Sequence, residues 1–178
     1  EKFSFFLKGL KKPYVTAIIG GSTKTTQFTD DMAKEFGIKI NEIAKNTGGS
    51  LLILNSRRTG DKQTKIIKQQ ITAPNIFYDF SRPDASPVFN AFLGYADMIA
   101  ITGESISMLT EATFANKPMF VYDNEELLAP KHKRFVKILY DLGAAKSMAG
   151  DLKNFKSQKI ENPGKYVASV IKKNMKAK

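Results

Sequence analysis

The sequence lacks cysteine altogether and contains a single histidine, His132. Disulfide bonds and thiolate metal sites are therefore excluded, and a metal site built from histidines is disfavoured. No apolar run approaches the roughly 20 residues that a membrane-spanning helix needs. The first residues form no signal-peptide pattern, because their apolar stretch is short and no cleavage site follows it. We therefore expect a cytoplasmic chain that uses neither a metal nor an organic cofactor.

Acidic residues are also scarce in this chain. Its 28 Lys and Arg residues outnumber 17 Asp and Glu residues, which gives a net charge of +11. Such an excess predicts an anionic partner. No nucleic-acid recognition motif and no alternation of aromatic and basic residues is present, which argues against nucleic acid. The excess fits either a solvated basic surface or peripheral contact with an anionic membrane, where polybasic segments gain about 1 kcal/mol per Lys or Arg.

The sequence does contain a regular alternation of short apolar runs and helical patterns. This alternation predicts one Rossmann-like three-layer αβα domain with five or six mostly parallel strands. We expect a connector or short amphipathic helix over residues 1–13 and the domain over residues 14–178. The predicted strands cover 14–19, 51–54, 76–78, 98–101, 119–122 and, briefly, 144–145. The predicted helices run from a Thr29 or Asp30 cap to Gly48, over 62–71 and 88–96, from Ser105 or Ser107 to Asn116, and over 131–142 and 164–176.

Residues 98–123 carry the clearest of these patterns. A strand, a helix and a strand follow one another with short connections, which is typical of a parallel βαβ unit. The loop from Gly103 to Ser107 therefore lies at the carboxyl end of a parallel strand, where ligands bind in open α/β sheets. The following helix N-terminus offers free N–H groups suited to a phosphate.

Glu111 lies one turn past Ser107, beside Leu109 and Ala112. These neighbours predict a mostly apolar helix surface around the carboxylate. Burying a carboxylate without a partner is costly, so we expect Glu111 to have a hydrogen-bonding ligand, for which a ribose diol is suitable. The alternative is that Glu111 caps or salt-bridges a neighbouring loop.

Residues 20–26 imitate a phosphate-binding P-loop because they include Lys24 followed by a threonine. A P-loop needs glycine directly before the lysine, and Thr23 occupies that position. Nucleotide hydrolysis is therefore not expected. Gly20 and Gly21 still allow a ligand to approach the backbone at a strand end, and a plain tight turn is the alternative.

Residues 103–107 imitate the nucleophile elbow of serine hydrolases, and Asp123 and His132 follow in the order of that triad. Ser107 replaces the last glycine of the elbow, and the short spacing from Asp123 to His132 is tight for two separate loops. A serine hydrolase is therefore disfavoured. We expect His132, which lies among basic residues, to be a solvated helix residue.

Arg57 and Arg58 follow Ser56 at the end of the second predicted strand. Arginine binds phosphate oxygens with two parallel hydrogen bonds, which lysine cannot do. This placement indicates a phosphate contact, and a salt-bridged surface pair is the alternative.

Residues 102–112, TGESISMLTEA, resemble the signature of the mitochondrial-fission "elongated mitochondria" family. Residues 18–22 and 56–59 agree with two further blocks of that family, and a looser Lys-x-x-x-Phe match begins at Lys131. The resemblance covers nearly the whole chain but only the C-terminal half of the family. Bacterial members of the family resemble glycosyltransferases of the GT-B type and have also been likened to nucleotide-sugar epimerases.

The resemblance implies the donor-nucleotide-binding half of a glycosyltransferase that uses a nucleotide-diphosphate sugar. The family's N-terminal domain would then be a missing partner, and this chain alone would be inactive. A non-catalytic adaptor in membrane or organelle remodelling and a nucleotide-sugar epimerase are the alternatives. The resemblance assigns no catalytic residue and no metal ligand.

By resemblance, Ser105, Ser107 and Met108 would hold the diphosphate, and Glu111 the ribose. Arg57 or Arg58 would neutralise phosphate charge, and residues 20–22 would edge the cleft. The nucleotide-sugar site predicted in this way comprises Gly20, Gly21, Ser22, Ser56, Arg57, Arg58, Glu104, Ser105, Ser107, Met108, Glu111 and Lys131.

Overall fold

The computed structural model describes residues 3–83 and 85–150. A short 3-10 helix at Ser4–Leu7 precedes alternating strands and α-helices. The strands are β1 Tyr14–Ile18, β2 Ser50–Leu54, β3 Asn75–Tyr78, β4 Met98–Thr102, β5 Met119–Tyr122 and β6 Lys146–Ser147. The helices are α1 Asp30–Thr47, α2 Asp61–Gln70, α3 Ala85–Tyr95, α4 Ile106–Phe114 and α5 Pro130–Asp141.

The strands form one sheet in the order β3-β2-β1-β4-β5-β6, and each neighbouring pair is parallel. The order reverses between β1 and β4, so the loops after these two strands diverge and leave a crevice at the carboxyl edge of the sheet. This arrangement confirms the predicted Rossmann-like αβα fold.

The core lies on both faces of the sheet. Strands β1, β2 and β5 are buried along their whole length, as expected for parallel strands covered by helices on both sides. Side chains of β1 alternate: Val15 and Ala17 pack with the buried residues of α1, whereas Ile18 packs with those of α4 and α5. Within the described part, no helix combines the length and apolarity that a membrane span requires.

Helix ends follow the predicted signals with two exceptions. One is α3, which begins at Ala85, three positions before the predicted start at Val88. Thr29 caps α1 by accepting a hydrogen bond from the Met32 N–H at 3.3 Å, and Gly48 ends that helix with a φ of 67°. Asn116 follows α4 with a φ of 51°. Ser105 occupies the N-cap position of α4, but its side chain makes no capping hydrogen bond.

Two predictions about the chain ends differ from the structure or lie outside it. The sixth strand begins at Lys146, because the N–H groups of Ala144 and Ala145 donate to the Leu139 carbonyl at the end of α5. The predicted helix over 164–176 lies outside the described residues. At the other end, the predicted short helix is the 3-10 helix, whose Phe6 packs edge-on against Tyr78 and Phe92.

Candidate functional site

The loops after β1 and β2 are bonded directly to each other. The hydroxyls of Ser56 and Thr59 both donate to the Gly20 carbonyl at 2.5 Å, and the Ser22 N–H donates to the Arg58 carbonyl at 3.0 Å. A methyl group on Gly21, whose φ is +142°, would overlap that carbonyl group. Two of the sequence blocks that carry the family resemblance therefore form one continuous wall.

Glu104, in the loop after β4, contacts these two loops from the other side of the point where the strand order reverses. Its side chain is fully buried, and its Oε1 accepts a hydrogen bond from the Gly21 N–H at 2.7 Å. The Arg58 Nη2 lies 3.7 Å from the same oxygen. The second carboxyl oxygen, Oε2, makes no hydrogen bond of good geometry to any described residue.

The ionisation of Glu104 is shifted by this environment. Burial raises the pKa of the Glu104 carboxyl, and the hydrogen bond from the Gly21 N–H and the positive charge of Arg58 oppose that rise. Glu104 therefore stays neutral up to a higher pH than an ordinary surface glutamate does. Neutral Glu104 would repel an anionic ligand less than a carboxylate would.

A cleft of about 920 Å³ opens beside Glu104, between the loop after β1 and the N-termini of α4 and α5. We call it the basic cleft, because four cationic side chains line it with Glu104 as their acidic neighbour: Lys24, Arg58, Lys131 and Arg134. Its volume lies in the range of small-molecule sites. The arrangement favours an anionic ligand.

The N-terminus of α4 supplies polar groups to the same cleft, which Ser105, Ile106 and Ser107 line. The Ser105 and Ser107 hydroxyl oxygens lie 3.4 Å apart. Because no side chain caps this helix, the N–H groups of its first turn are available to a ligand, and the helix dipole favours a negative charge there.

An apolar groove of about 360 Å³ lies on the other side of Ser107. Its apolar walls come from Phe80, Phe89 and Met108, and Glu111 lies at its rim. Ser56 and Arg57 also line it. Ser107 therefore borders both the basic cleft and this apolar groove, so one ligand can contact both.

The expectation that Glu111 is a costly buried carboxylate is wrong. Its side chain is exposed, because α4 turns this position outward between the two buried positions Leu109 and Ala112. No hydrogen bond or ion pair to another described residue restrains it. Its suggested ribose contact stays a prediction.

The expectation that His132 is solvated is also wrong. The residue is only 6% exposed and lies on the buried face of α5 with Val136 and Leu139. Burial lowers the pKa of the imidazole, and the charges of Lys131 and Arg58 lower it further, so the neutral ring is favoured. Its Nδ1 has no hydrogen-bond partner among the described residues.

The structure brings most of the predicted site residues to these two cavities. Arg58, Glu104, Ser105, Ser107 and Lys131 line the basic cleft, and Ser56, Arg57, Ser107, Met108 and Glu111 line the apolar groove. Sequence reasoning did not place Lys24, His132 or Arg134 in the site. The four- and three-residue steps from His132 to Val136 and Leu139 were the available signal for its burial.

Three of the predicted residues lie elsewhere. Gly20 and Gly21 are buried and line neither cavity, because they form the contacts between loops described above. Ser22 lines an adjoining hollow, and its hydroxyl accepts a hydrogen bond from the Phe28 N–H at 3.0 Å. Direct ligand contacts of these three residues stay predictions.

The parallel strand order and the cleft at its switch point define this protein as a Rossmann-like α/β domain. The chain belongs to the mitochondrial fission ELM1 family, whose sequence pattern matches residues 1–175. This match confirms the resemblance on which the site residues were carried over.

Similar proteins include the uncharacterized protein RP120 of Rickettsia prowazekii, which is 32% identical over 164 residues, 90% of this chain and 46% of that protein. The mitochondrial fission protein ELM1 of Arabidopsis thaliana is 26% identical over 141 residues, 79% of this chain and 32% of that protein. The chain thus spans less than half the length of these curated relatives. A solved glycosyl transferase family 9 protein from Veillonella parvula is 8% identical with a TM-score of 0.47, over 95% of this chain and 49% of that one.

Proposed function

We propose that this chain binds a nucleotide-diphosphate sugar as the donor-binding half of a glycosyltransferase. The position of Ser107 between the basic cleft and the apolar groove supports this proposal most directly. A nucleotide sugar has an aromatic base at one end, an anionic diphosphate in the middle and a polar sugar at the other end. A ligand that lies across Ser107 would contact apolar, cationic and polar groups in that same order.

The diphosphate is assigned to the first turn of α4. The uncapped N–H groups around Ser107 suit phosphate oxygens, and the helix dipole adds to the attraction. The Arg58 side chain is 39% exposed and is anchored by Glu104, so its guanidinium can contact a ligand without first losing much side-chain freedom. Lys131 and Lys24 add positive charge along the same cleft.

The nucleoside is assigned to the apolar groove. Phe80, Phe89 and Met108 offer the base an apolar surface. The exposed carboxylate of Glu111 can accept hydrogen bonds from both hydroxyls of a ribose diol. This placement puts the ribose about one helical turn from the diphosphate, a spacing that a nucleotide can bridge.

Glycosyl transfer would use the same groups electrostatically. The acceptor oxygen forms a bond to the anomeric carbon while the bond from that carbon to the diphosphate oxygen breaks. The nucleoside diphosphate leaves with the electron pair and therefore gains negative charge. Preorganised N–H groups and Arg58 would stabilise that charge as it develops. The base that takes the proton of the acceptor is not assigned.

Calorimetric titration of the chain with UDP, GDP and ADP tests this proposal. At least one of them should bind, and Arg58→Ala should weaken that binding about ten-fold, as expected when a charged hydrogen bond is lost. Lys137→Ala is the matched control, because it removes the same charge from an exposed ion pair with Asp141 outside the basic cleft. No binding by any of the three nucleotides, or an equal loss in both variants, would contradict the proposal.

A non-catalytic adaptor that contacts an anionic membrane is the second candidate. The net charge of +11 and the exposed aromatic side chain of Phe5 favour it. Tight binding to anionic vesicles together with indifference to nucleotides would support the adaptor. Conversion of one nucleotide sugar into another without an acceptor would support an epimerase instead.

A further inference from the structure

Two side chains that line the basic cleft each bury a polar atom without a hydrogen-bond partner. The atoms are Glu104 Oε2 and His132 Nδ1, and they are the two such side-chain atoms found in the part of the chain that the structure describes. Buried polar groups in native proteins are nearly always hydrogen-bonded, and each exception needs an explanation. Both exceptions here lie in the walls of one cleft, which points to a ligand.

Hydrogen bonds hold the Glu104 carboxyl group and the backbone of His132 but leave these two atoms without a partner among the described residues. Oε1 of Glu104 is held by the Gly21 N–H at 2.7 Å, so the second carboxyl oxygen is the one left without a partner. His132 lies in the first turn of α5, where its backbone N–H donates to the Ala129 carbonyl at 2.8 Å. Both atoms are buried, so a ligand reaches them only if these groups rotate, and rotation of the carboxyl group would give up the hydrogen bond from the Gly21 N–H. The last side-chain torsions of Glu and His have broad energy minima, which permits such a movement.

The chemistry of these two atoms favours hydroxyl groups over phosphate. A neutral imidazole has one nitrogen that donates and one that accepts, and a carboxyl oxygen accepts or, when protonated, donates. A hydroxyl both donates and accepts, so it matches either atom in any protonation state. Phosphate oxygens only accept, and they have Arg58 and Lys131 in the same cleft.

We propose that Glu104 Oε2 and His132 Nδ1 form a sugar-hydroxyl subsite in the basic cleft. The subsite would bind hydroxyl groups of the donor sugar while the first turn of α4 holds the diphosphate, and it rests on the proposed function. The cleft volume of about 920 Å³ leaves room for a sugar beyond the diphosphate. Glu104 and His132 are then specificity residues for the sugar and not for the nucleotide.

Paired ligands and two substitutions at one position test this subsite. The ligands are UDP with UDP-glucose, GDP with GDP-mannose and ADP with ADP-glucose, titrated by calorimetry into the chain. The measured quantity is the ratio of the dissociation constant of each nucleoside diphosphate to that of its sugar form. His132→Leu fills the same space without a polar atom, whereas His132→Asn keeps a polar atom close to the place of Nδ1.

The ratio should fall about two- to ten-fold in His132→Leu, as expected for the loss of one hydrogen bond, and should be retained in His132→Asn. Affinity for the free nucleoside diphosphates should be the same in all three proteins. The melting temperature of His132→Leu should stay level or rise, because the substitution removes an unpaired buried polar atom. If His132→Leu does not fold, His132→Met, which also lacks a hydrogen-bonding nitrogen at this place, is used instead, and an unchanged ratio there overturns the subsite.

Other outcomes separate the subsite from the proposed function. An unchanged ratio in His132→Leu overturns the subsite and leaves nucleotide binding intact. Equal weakening of nucleoside diphosphates and their sugar forms would place His132 at the diphosphate and also overturn the subsite. If wild-type protein binds none of the six ligands, the proposed function itself fails, and the subsite fails with it.

Discussion

Gly21→Ala should destabilise the protein and disable the basic cleft at the same time. A Cβ atom at this position would overlap the carbonyl group of Arg58, which is backbone and cannot rotate away. The φ of +142° adds strain, because residues other than glycine rarely adopt it. Alanine there therefore has to push the loop after β2 away from the loop after β1.

The size of this effect follows from the contacts that must break. Backbone strain costs about 1–3 kcal/mol, and the hydrogen bond from the Ser22 N–H to the Arg58 carbonyl contributes about 0.5–1.5 kcal/mol. The sum is roughly 2–4 kcal/mol. For a domain of this size each kcal/mol corresponds to about 2–4 °C, so the melting temperature should fall by roughly 5–15 °C.

Thermal unfolding followed by circular dichroism measures the change, and Gly48→Ala is the matched control. Gly48 also has a positive φ, of 67°, but an added Cβ would meet no atom within 4 Å. That variant should lose only about 1–2 kcal/mol, the cost of the left-handed conformation, and keep any nucleotide affinity. The reasoning would be refuted by equal melting temperatures for the two variants, since equality would mean that the Gly21 contact yields freely.

Three further predictions concern ionisation, the ribose and the basic surface. Burial raises the pKa of the Glu104 carboxyl in the folded protein. Its contribution to the free energy of unfolding should therefore be complete below the ordinary carboxyl pKa and be lost as the pH rises through the folded-state pKa. Urea unfolding between about pH 4 and 8 should show this loss in wild type and not in Glu104→Gln. Glu111→Ala should weaken the binding of a ribonucleoside diphosphate about ten-fold with no change in melting temperature. A 2′,3′-dideoxy nucleotide, which lacks the diol, should bind wild type and variant alike. A drop in melting temperature with unchanged affinity would instead assign Glu111 a structural role. Retention on phosphatidylserine vesicles should vanish toward 1 M salt, where charges are screened within about 3 Å, and retention that persists would indicate apolar anchoring through residues such as Phe5.

Much of the fold was predictable because its signals are local. The continuous apolar runs of β1, β2 and β5 predict strands buried on both faces, and Thr29 and Gly48 mark the ends of α1. The β6 position was predicted two residues too early. Gly143, with a φ of 64°, ends α5 in a local turn in which the Ala144 and Ala145 N–H groups donate to the Leu139 carbonyl, so these N–H groups are not available to a strand.

The site was predictable in location and less so in detail. Carboxyl ends of neighbouring parallel strands converge, so the blocks at Gly20, Arg58 and Glu104 were expected near one another. The exposure of Glu111 could not be read from Leu109 and Ala112, because the rotation of α4 against the sheet decides which face is covered.

His132 shows a different kind of failure. The charges of Lys131, Lys133 and Arg134 around it indicated solvent, and this charge pattern outweighed the helical spacing that places the imidazole inward. Basic side chains alternate with buried ones along an amphipathic helix, so a run of charges does not report the environment of the residue inside it.

The hydrogen bonds between the loops after β1, β2 and β4 make the cleft a product of the whole sheet. Gly20 and Ser56 are separated by 36 positions in the chain, and Gly21 and Glu104 by 83. The pairing of β1 with β2 on one side and with β4 on the other places these loops side by side. Contacts of such large sequence separation depend on the cooperative unit that contains them and are lost with it. Ligand binding at this cleft should consequently disappear in a single transition with the sheet during denaturation, so that a bound nucleotide would act as a reporter of global folding.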